Sequence, residues 1–216
     1  MSDVESKKEF ADKSLLIFRS DIKKLRLHLV ASGVSLFILT LAVVFIGDGL
    51  LYSYIRESAK SNPVFYEIMK YISGFGNYVF YSIFFAIGIY GFFMRKYFLI
   101  FYALVYLLIQ IVASIILVRF LKFTIGRMRP NNLRHDAFPS GHTADMAVSA
   151  SALSYFLRVY LLRIISYFCI ALMGLSRIAV GSHYPLDVIG GAFVGLFSSY
   201  IIFHIYIISY AKYFKK

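Results

Sequence analysis

The sequence predicts an all-α integral membrane bundle of six transmembrane helices. Three observations predict it. Apolar residues make up 60% of the chain and charged residues only 16%, against roughly 25% charged in a soluble domain. The charges are clumped, and Tyr97 to Val118 carries none, enough chain to cross a hydrocarbon layer of about 30 Å. The basic residues gather at the edges of apolar runs, where positive charge sets orientation in a bilayer. The formal net charge of +12 therefore reads as membrane-edge charge and not as a nucleic-acid surface.

Residues 1–27 are polar and mixed in charge, with no apolar core followed by a cleavage site, and read as a cytoplasmic tail. The remainder, 28–216, reads as one membrane domain. Its first span is expected over 28–47. The connection 48–72 follows, and Val64–Ile72 within it reads as an interfacial helix or a plain loop, its aromatics suited to the lipid–water boundary. Further spans are expected over 74–94, 97–119, 142–158, 161–181 and 185–210. The aromatic residues of 75–102 are expected to face lipid or pack, and Gly190, Gly191 and Gly195 to permit a close helix contact. Cys169, the single cysteine, is read as a packing residue.

With the N-terminus inside, fourteen Lys and Arg fall in cytoplasmic segments and nine outside, accounting for all 23. That bias favours cytoplasmic N- and C-termini. The outside set is peculiar. Most of it crowds into 119–134 and Arg177, where it defies the topological rule and implies another task.

Three stretches meet that face. Lys122 and Arg129 in KFTIGRMRP share a face if the third span continues, and Pro130 ends it. FPSGHTAD opens the fourth span, with Ser140 as N-cap and free backbone N–H groups behind it, an anion site. GLSRIAVGSHYPLD closes the fifth span at Arg177 and starts the sixth at Pro185. Lys122, Arg129 and Arg177 supply cations, and Ser140 and Gly141 supply a hydroxyl and amide donors. Such a set suits a tetrahedral oxyanion, most simply phosphate. His142 and His183 remain: one to attack phosphorus, the other to protonate the leaving group. Asp187, four residues after His183, can hold one ring nitrogen and leave the other bare. The cations would repel a metal, so no metal and no cofactor is expected.

Lys122-x6-Arg129-Pro130, Pro139-Ser140-Gly141-His142 and Ser176-Arg177-x5-His183-x3-Asp187 resemble, in order and spacing, the three signature motifs of the type 2 phosphatidic acid phosphatase (PAP2) superfamily, in its bacterial membrane lipid phosphatase branch. The resemblance covers the C-terminal half. It implies a helical core like that of the haloperoxidases, an extracytoplasmic site in the inner membrane, His183 as nucleophile forming a phosphohistidine, His142 as acid, Asp187 orienting His183, and Lys122, Arg129, Ser140, Gly141 and Arg177 holding phosphate. The substrate it implies is a membrane lipid: undecaprenyl diphosphate, phosphatidic acid or phosphatidylglycerol phosphate, with lipid A as the rival. A transporter would place ionisable residues at mid-span, and these spans are clean there. The only partners expected are the lipid substrate and the bilayer; nothing in the sequence sets an oligomeric state. Asp145, three residues past His142, is expected to pair with Arg119 or Lys122 and buttress the site, or else to face water. Arg127 is read as solvated or headgroup-facing, with substrate contact as the alternative, and Arg134, His135 and Asp136 as a solvated loop that a lipid headgroup could reach.

Overall fold

A computed structural model describes residues 26, 27, 29–157 and 160–213. The expected tail therefore lies outside the described residues, apart from Arg26 and Leu27, as do Arg158 and the final lysines at 215 and 216. The described residues are helical, without strands: α1 (Leu29–Ile46), α2 (Asp48–Ser61), α3 (Pro63–Phe93), α4 (Tyr97–Ile125), α5 (Gly141–Leu157), α6 (Tyr160–Ala179) and α7 (Pro185–Tyr213).

Four of these, α1, α3, α4 and α7, are long and apolar enough to cross a membrane. Of the other two expected spans, α5 has 17 residues, about 25 Å at the rise of an α-helix, and α6 has a shorter apolar stretch, Ile164–Ala179. Burial explains α5. Ala144, Met146, Ala147, Val148, Ala150 and Ala152 are all buried, so α5 sits inside the bundle, where small residues pack and hydropathy toward lipid is not required. The outer helices carry the lipid-facing load. Phe45 is 93% and Phe123 91% exposed, which suits hydrocarbon and not water.

The 48–72 connection holds two helical pieces. Gly47, at φ 99°, breaks the chain between α1 and α2. Asn62 then caps α3, accepting from Phe65 N at 3.1 Å, with Pro63 at the first helical position. Val64–Ile72 is thus the start of a 31-residue α3, neither a separate helix nor a loop. The aromatics of 75–102 divide as expected. Phe75, Tyr78, Phe85 and Phe92 face outward, while Phe84 stacks on buried Tyr106 at 3.7 Å between centroids. Within α4, Ile111–Val118 is a π-helix, and Gly126 ends α4 in the left-handed conformation, φ 57°, as a glycine C-cap does.

The glycines of α7 set the approach to α5. A Cβ at Gly191 would lie 2.3 Å from the Ser140 carbonyl oxygen, and one at Gly195 2.4 Å from that of Ala144. These are backbone atoms that cannot swing aside. We expect Gly191→Ala to lower stability by about 1–3 kcal/mol, measured by thermal melting in detergent. Gly33→Ala, where a Cβ meets nothing within 4 Å among the described residues, should not lower the melting temperature and, inside a helix, should raise it slightly. Equal melting curves for the two variants would contradict the packing argument.

Candidate active site

Five segments converge at one end of the bundle: the start of α2, the end of α4 with its following loop, the start of α5, the end of α6, and the turn into α7. Each predicted site residue lies in one of them. His183 sits in the turn between α6 and α7 and is 2% exposed. Its Nδ1 lies 3.5 Å from Asp187 Oδ2, a long contact of the kind that tightens only when a site is occupied. Asp187, in the first turn of α7, is fully buried. Its Oδ2 accepts from Tyr184 N at 2.8 Å, so its direction is set by backbone. The Asp187 carbonyl in turn accepts from Ser140 N at 2.8 Å, which locks the start of α5 to the start of α7.

Ser140 stands at the N-cap of α5, its carbonyl accepting from Ala144 N at 3.1 Å, and its hydroxyl oxygen accepts from Thr143 at 3.0 Å. Its own N–H is committed to Asp187, so the free donors begin at Gly141, the first residue of the helix. His142 faces open space within electrostatic reach of His183, Arg177, Arg129 and Lys122. Its carbonyl accepts from Asn77 Nδ2 at 3.2 Å.

Arg177, in the last turn of α6, donates from Nη1 to the Ser73 hydroxyl. Its Nε is buried and, among the described residues, has no hydrogen-bond partner. A buried guanidinium donor without an acceptor is costly and fits a site built for an oxyanion. Lys122 donates to the Asp136 carbonyl. The expected shared helical face of Lys122 and Arg129 is corrected. Because Gly126 stops α4, Arg129 reaches the site from the loop, where its Nε and Nη2 meet Asp136 at 2.6 and 3.1 Å.

Three charged residues depart from the sequence reading. Asp136 is not merely solvated: it takes the fork of Arg129, and although burial opposes it, the Arg129 and Lys122 charges hold its carboxyl below the usual carboxylate range. Arg127 is a bridge. Its Nη1 donates to Asp187 Oδ1 at 2.7 Å, its Nη2 meets Asp48, and its guanidinium lies 4.6 Å from the Tyr184 ring centroid. Burial works against its charge, but Asp48 and Asp187 more than offset that and raise its pKa. Asp145 meets neither Arg119 nor Lys122. It accepts from the Ser114 hydroxyl in the π segment and from Tyr81, facing a groove between α3 and α4, while Arg119 is exposed on the outer side. The helical turn that carries His142 toward the site carries Asp145 past it.

Sequence reasoning also missed Ser73, Asn77 and Asp48. Ser73 and Asn77 are 4% and 6% exposed and one helical turn apart on α3, so a polar pair at i, i+4 in an apolar helix was the available signal. Asp48 was legible only as an acid at a helix start. Among the described residues no group of three or more His, Cys, Asp or Glu is placed to hold a metal ion.

A sequence model of the PAP2 superfamily matches residues 99–210. The chain is 36% identical to the lipid A 1-phosphatase of Rhizobium etli over 110 residues, 43% of this chain and 46% of that protein. It thus spans about half the length of the curated relatives it matches. Among solved structures, it resembles the transmembrane PAP2-type phosphatidylglycerolphosphate phosphatase of Bacillus subtilis, with TM-score 0.61 and 27% identity, over 82% of this chain and 94% of that one. It also resembles LpxE of Aquifex aeolicus, with TM-score 0.58 and 25% identity, over 73% of this chain and 94% of that one.

Proposed function

The chain belongs to the PAP2 superfamily, and on that premise we propose that it is a membrane lipid phosphatase working through a phosphohistidine. One observation carries the reading: buried His183 facing buried Asp187, beside an Arg177 whose Nε is buried without a partner among the described residues. Asp187 Oδ2, 3.5 Å from Nδ1, favours the tautomer with the proton on Nδ1, which leaves the Nε2 lone pair free to attack. Nε2 bonds to phosphorus as the P–O bond to the lipid breaks, and His142 gives its proton to the departing oxygen. His142 then takes a proton from water as that water attacks phosphorus, the N–P bond breaks, and inorganic phosphate leaves. Lys122, Arg129, Arg177, Ser140 and the Gly141 N–H hold the phosphoryl oxygens as charge grows on them. Arg129 must exchange Asp136 for phosphate, an anion-for-anion replacement. The donors present need no metal or cofactor.

The substrate class is a phosphate monoester or diphosphate on a lipid. Phosphatidylglycerol phosphate, phosphatidic acid and undecaprenyl diphosphate fit a short-looped site. The similarity to lipid A 1-phosphatases favours lipid A as the second reading. We place the protein in the bacterial inner membrane with both termini cytoplasmic and the site outside. His135→Cys on a Cys169→Ser background should then react with an impermeant maleimide in intact cells, and failure to label would overturn the orientation.

Purified protein should release phosphate from at least one of these lipids, and EDTA should not reduce the rate. No release from any, or loss in EDTA, would overturn the reading. The pH profile carries a second expectation. Burial disfavours the charged His183 ring; Asp187 favours it, but Arg177 and Lys122 oppose it, and the net pKa lies below the ordinary 6.5. The neutral ring is the attacking form, so it survives as pH falls through 6.5. The acid limb of kcat/KM from His183 should therefore lie below that value, and a limb above it would contradict the assignment.

A further inference from the structure

Beside the catalytic turn lies a second, polar cavity of about 490 Å³ that the chemistry above does not use. One wall is α2. Tyr52, Ser53, Arg56, Glu57 and Lys60 line it, at the spacing of a single helical face. The opposite wall is built from the two loops that carry catalytic groups: Asn131, directly after Pro130, and Val180, Gly181 and Ser182, directly before His183.

The wall is fixed to the loop. Arg56 Nη1 donates to the Ala179 carbonyl at the end of α6, and the Tyr52 ring meets Tyr184 edge-on at 5.1 Å between centroids. Arg56 also passes over Gly181, where a Cβ would lie 3.0 Å from its Nε. Only one of its five N–H donors is used by Ala179. The cavity therefore offers two cations against one carboxylate, with an amide and hydroxyls beside them, one residue from the nucleophile.

We propose that this cavity is a headgroup subsite for a second anionic group, a phosphate borne by the same lipid whose first phosphate lies on His183. Arg56 and Lys60 supply the charge, and Asn131 and Ser182 supply hydrogen bonds. This rests on the phosphatase reading and narrows it. Substrates with two separated phosphates, such as a glycerophosphate-headed or bis-phosphorylated glycolipid, gain a contact that phosphatidic acid cannot make.

The test compares two dioleoyl lipids in the same detergent, phosphatidic acid with one phosphate and phosphatidylglycerol phosphate with two. Lys60→Gln and Arg56→Lys are each measured on both. We expect the ratio of kcat/KM for the two-phosphate lipid over the one-phosphate lipid to fall roughly three- to fivefold in Lys60→Gln, the range of a solvent-exposed charge pair. The fall should come through KM, and the wild-type ratio should itself drop toward that of the variant in high salt. Arg56→Lys, which keeps the charge but loses the fork, should shift the ratio in the same direction. An unchanged ratio in both variants would overturn the subsite, whether or not absolute rates fall. If the wild type released phosphate from neither lipid but did so from undecaprenyl diphosphate, the subsite would be overturned and the phosphatase reading kept; release from none of these, lipid A included, would overturn the phosphatase reading instead.

Discussion

His183→Ala is expected to reduce phosphate release by about 10⁴-fold or more, the scale seen when a nucleophile acting as one unit with its partners is removed. The loss should fall on kcat. The cations and donors that would bind phosphate, Lys122, Arg129, Arg177 and Gly141, stand on other segments and survive the change, so KM should move little. Quenching the wild type during turnover should trap a phosphoryl adduct that is labile in acid and stable in base, as a phosphorus–nitrogen bond is, and the variant should trap none. His142→Ala should behave differently. It removes the acid for departure and the base for water, so the rate should fall by about 10²–10⁴-fold, while a substrate with a good leaving group should still form the adduct. If His183→Ala kept rates within tenfold of wild type, or if the adduct persisted, the nucleophile would have to be sought elsewhere. Because His183 is buried, melting temperature in detergent should be recorded beside the rate, and His183→Gln offers a fuller side chain in the same space.

The motif residues were legible because an apolar chain leaves few reasons to keep Arg177, His183 and Asp187 at helix ends. The stretch between two apolar helices had to turn in any case, and the residues at that turn are the ones on which the proposed chemistry rests. Helix α5 was legible as an element, but its burial by neighbouring helices was not, since periodicity cannot tell burial by neighbours from burial by lipid. The start of α3 was within reach: Asn62-Pro63 is a cap followed by a first-turn proline, but the apolar run that begins later drew the boundary toward residue 74. The π segment Ile111–Val118 gave no sign in sequence, because its bonding reflects what α4 must reach, including Ser114 on Asp145. The same holds for Asp145. A three-residue offset from His142 put it on nearly the same face, yet whether it met Arg119, Lys122 or Ser114 depended on the rotation of a second helix. Partners separated by long stretches of chain were the least legible of all, and Arg127 is the clearest case, because nothing in KFTIGRMRP indicates that its acid lies at residue 48.

Arg127→Met is therefore expected to lower kcat by about 10²-fold, roughly 2.7 kcal/mol of transition-state stabilisation, although Arg127 is not among the residues proposed to attack or to hold phosphate. The argument runs through Asp187. That carboxylate is fully buried. One oxygen is held by Tyr184 N and faces His183; the other is held by Arg127 at 2.7 Å. A carboxylate left in such a place without its cation must relax, by turning toward water or by drawing in solvent. Either response moves the oxygen that sets the His183 ring. Asp48 completes the clamp. It binds Arg127 with one oxygen and accepts from Leu186 N at 2.9 Å with the other, so α2 grips the first turn of α7 through Arg127 and through backbone together. Asp48→Asn should thus cost less, about tenfold, because the Leu186 contact survives in part. The double variant should cost little more than Arg127→Met alone, since both act through one network. Arg127→Lys should recover only part of the rate, because an ammonium reaches one carboxylate and not two. A purely structural Arg127 would instead show losses that track the fraction of folded protein, add across the two sites, and leave kcat per folded molecule unchanged. Rates normalised to folded protein in a double-mutant cycle decide between these outcomes.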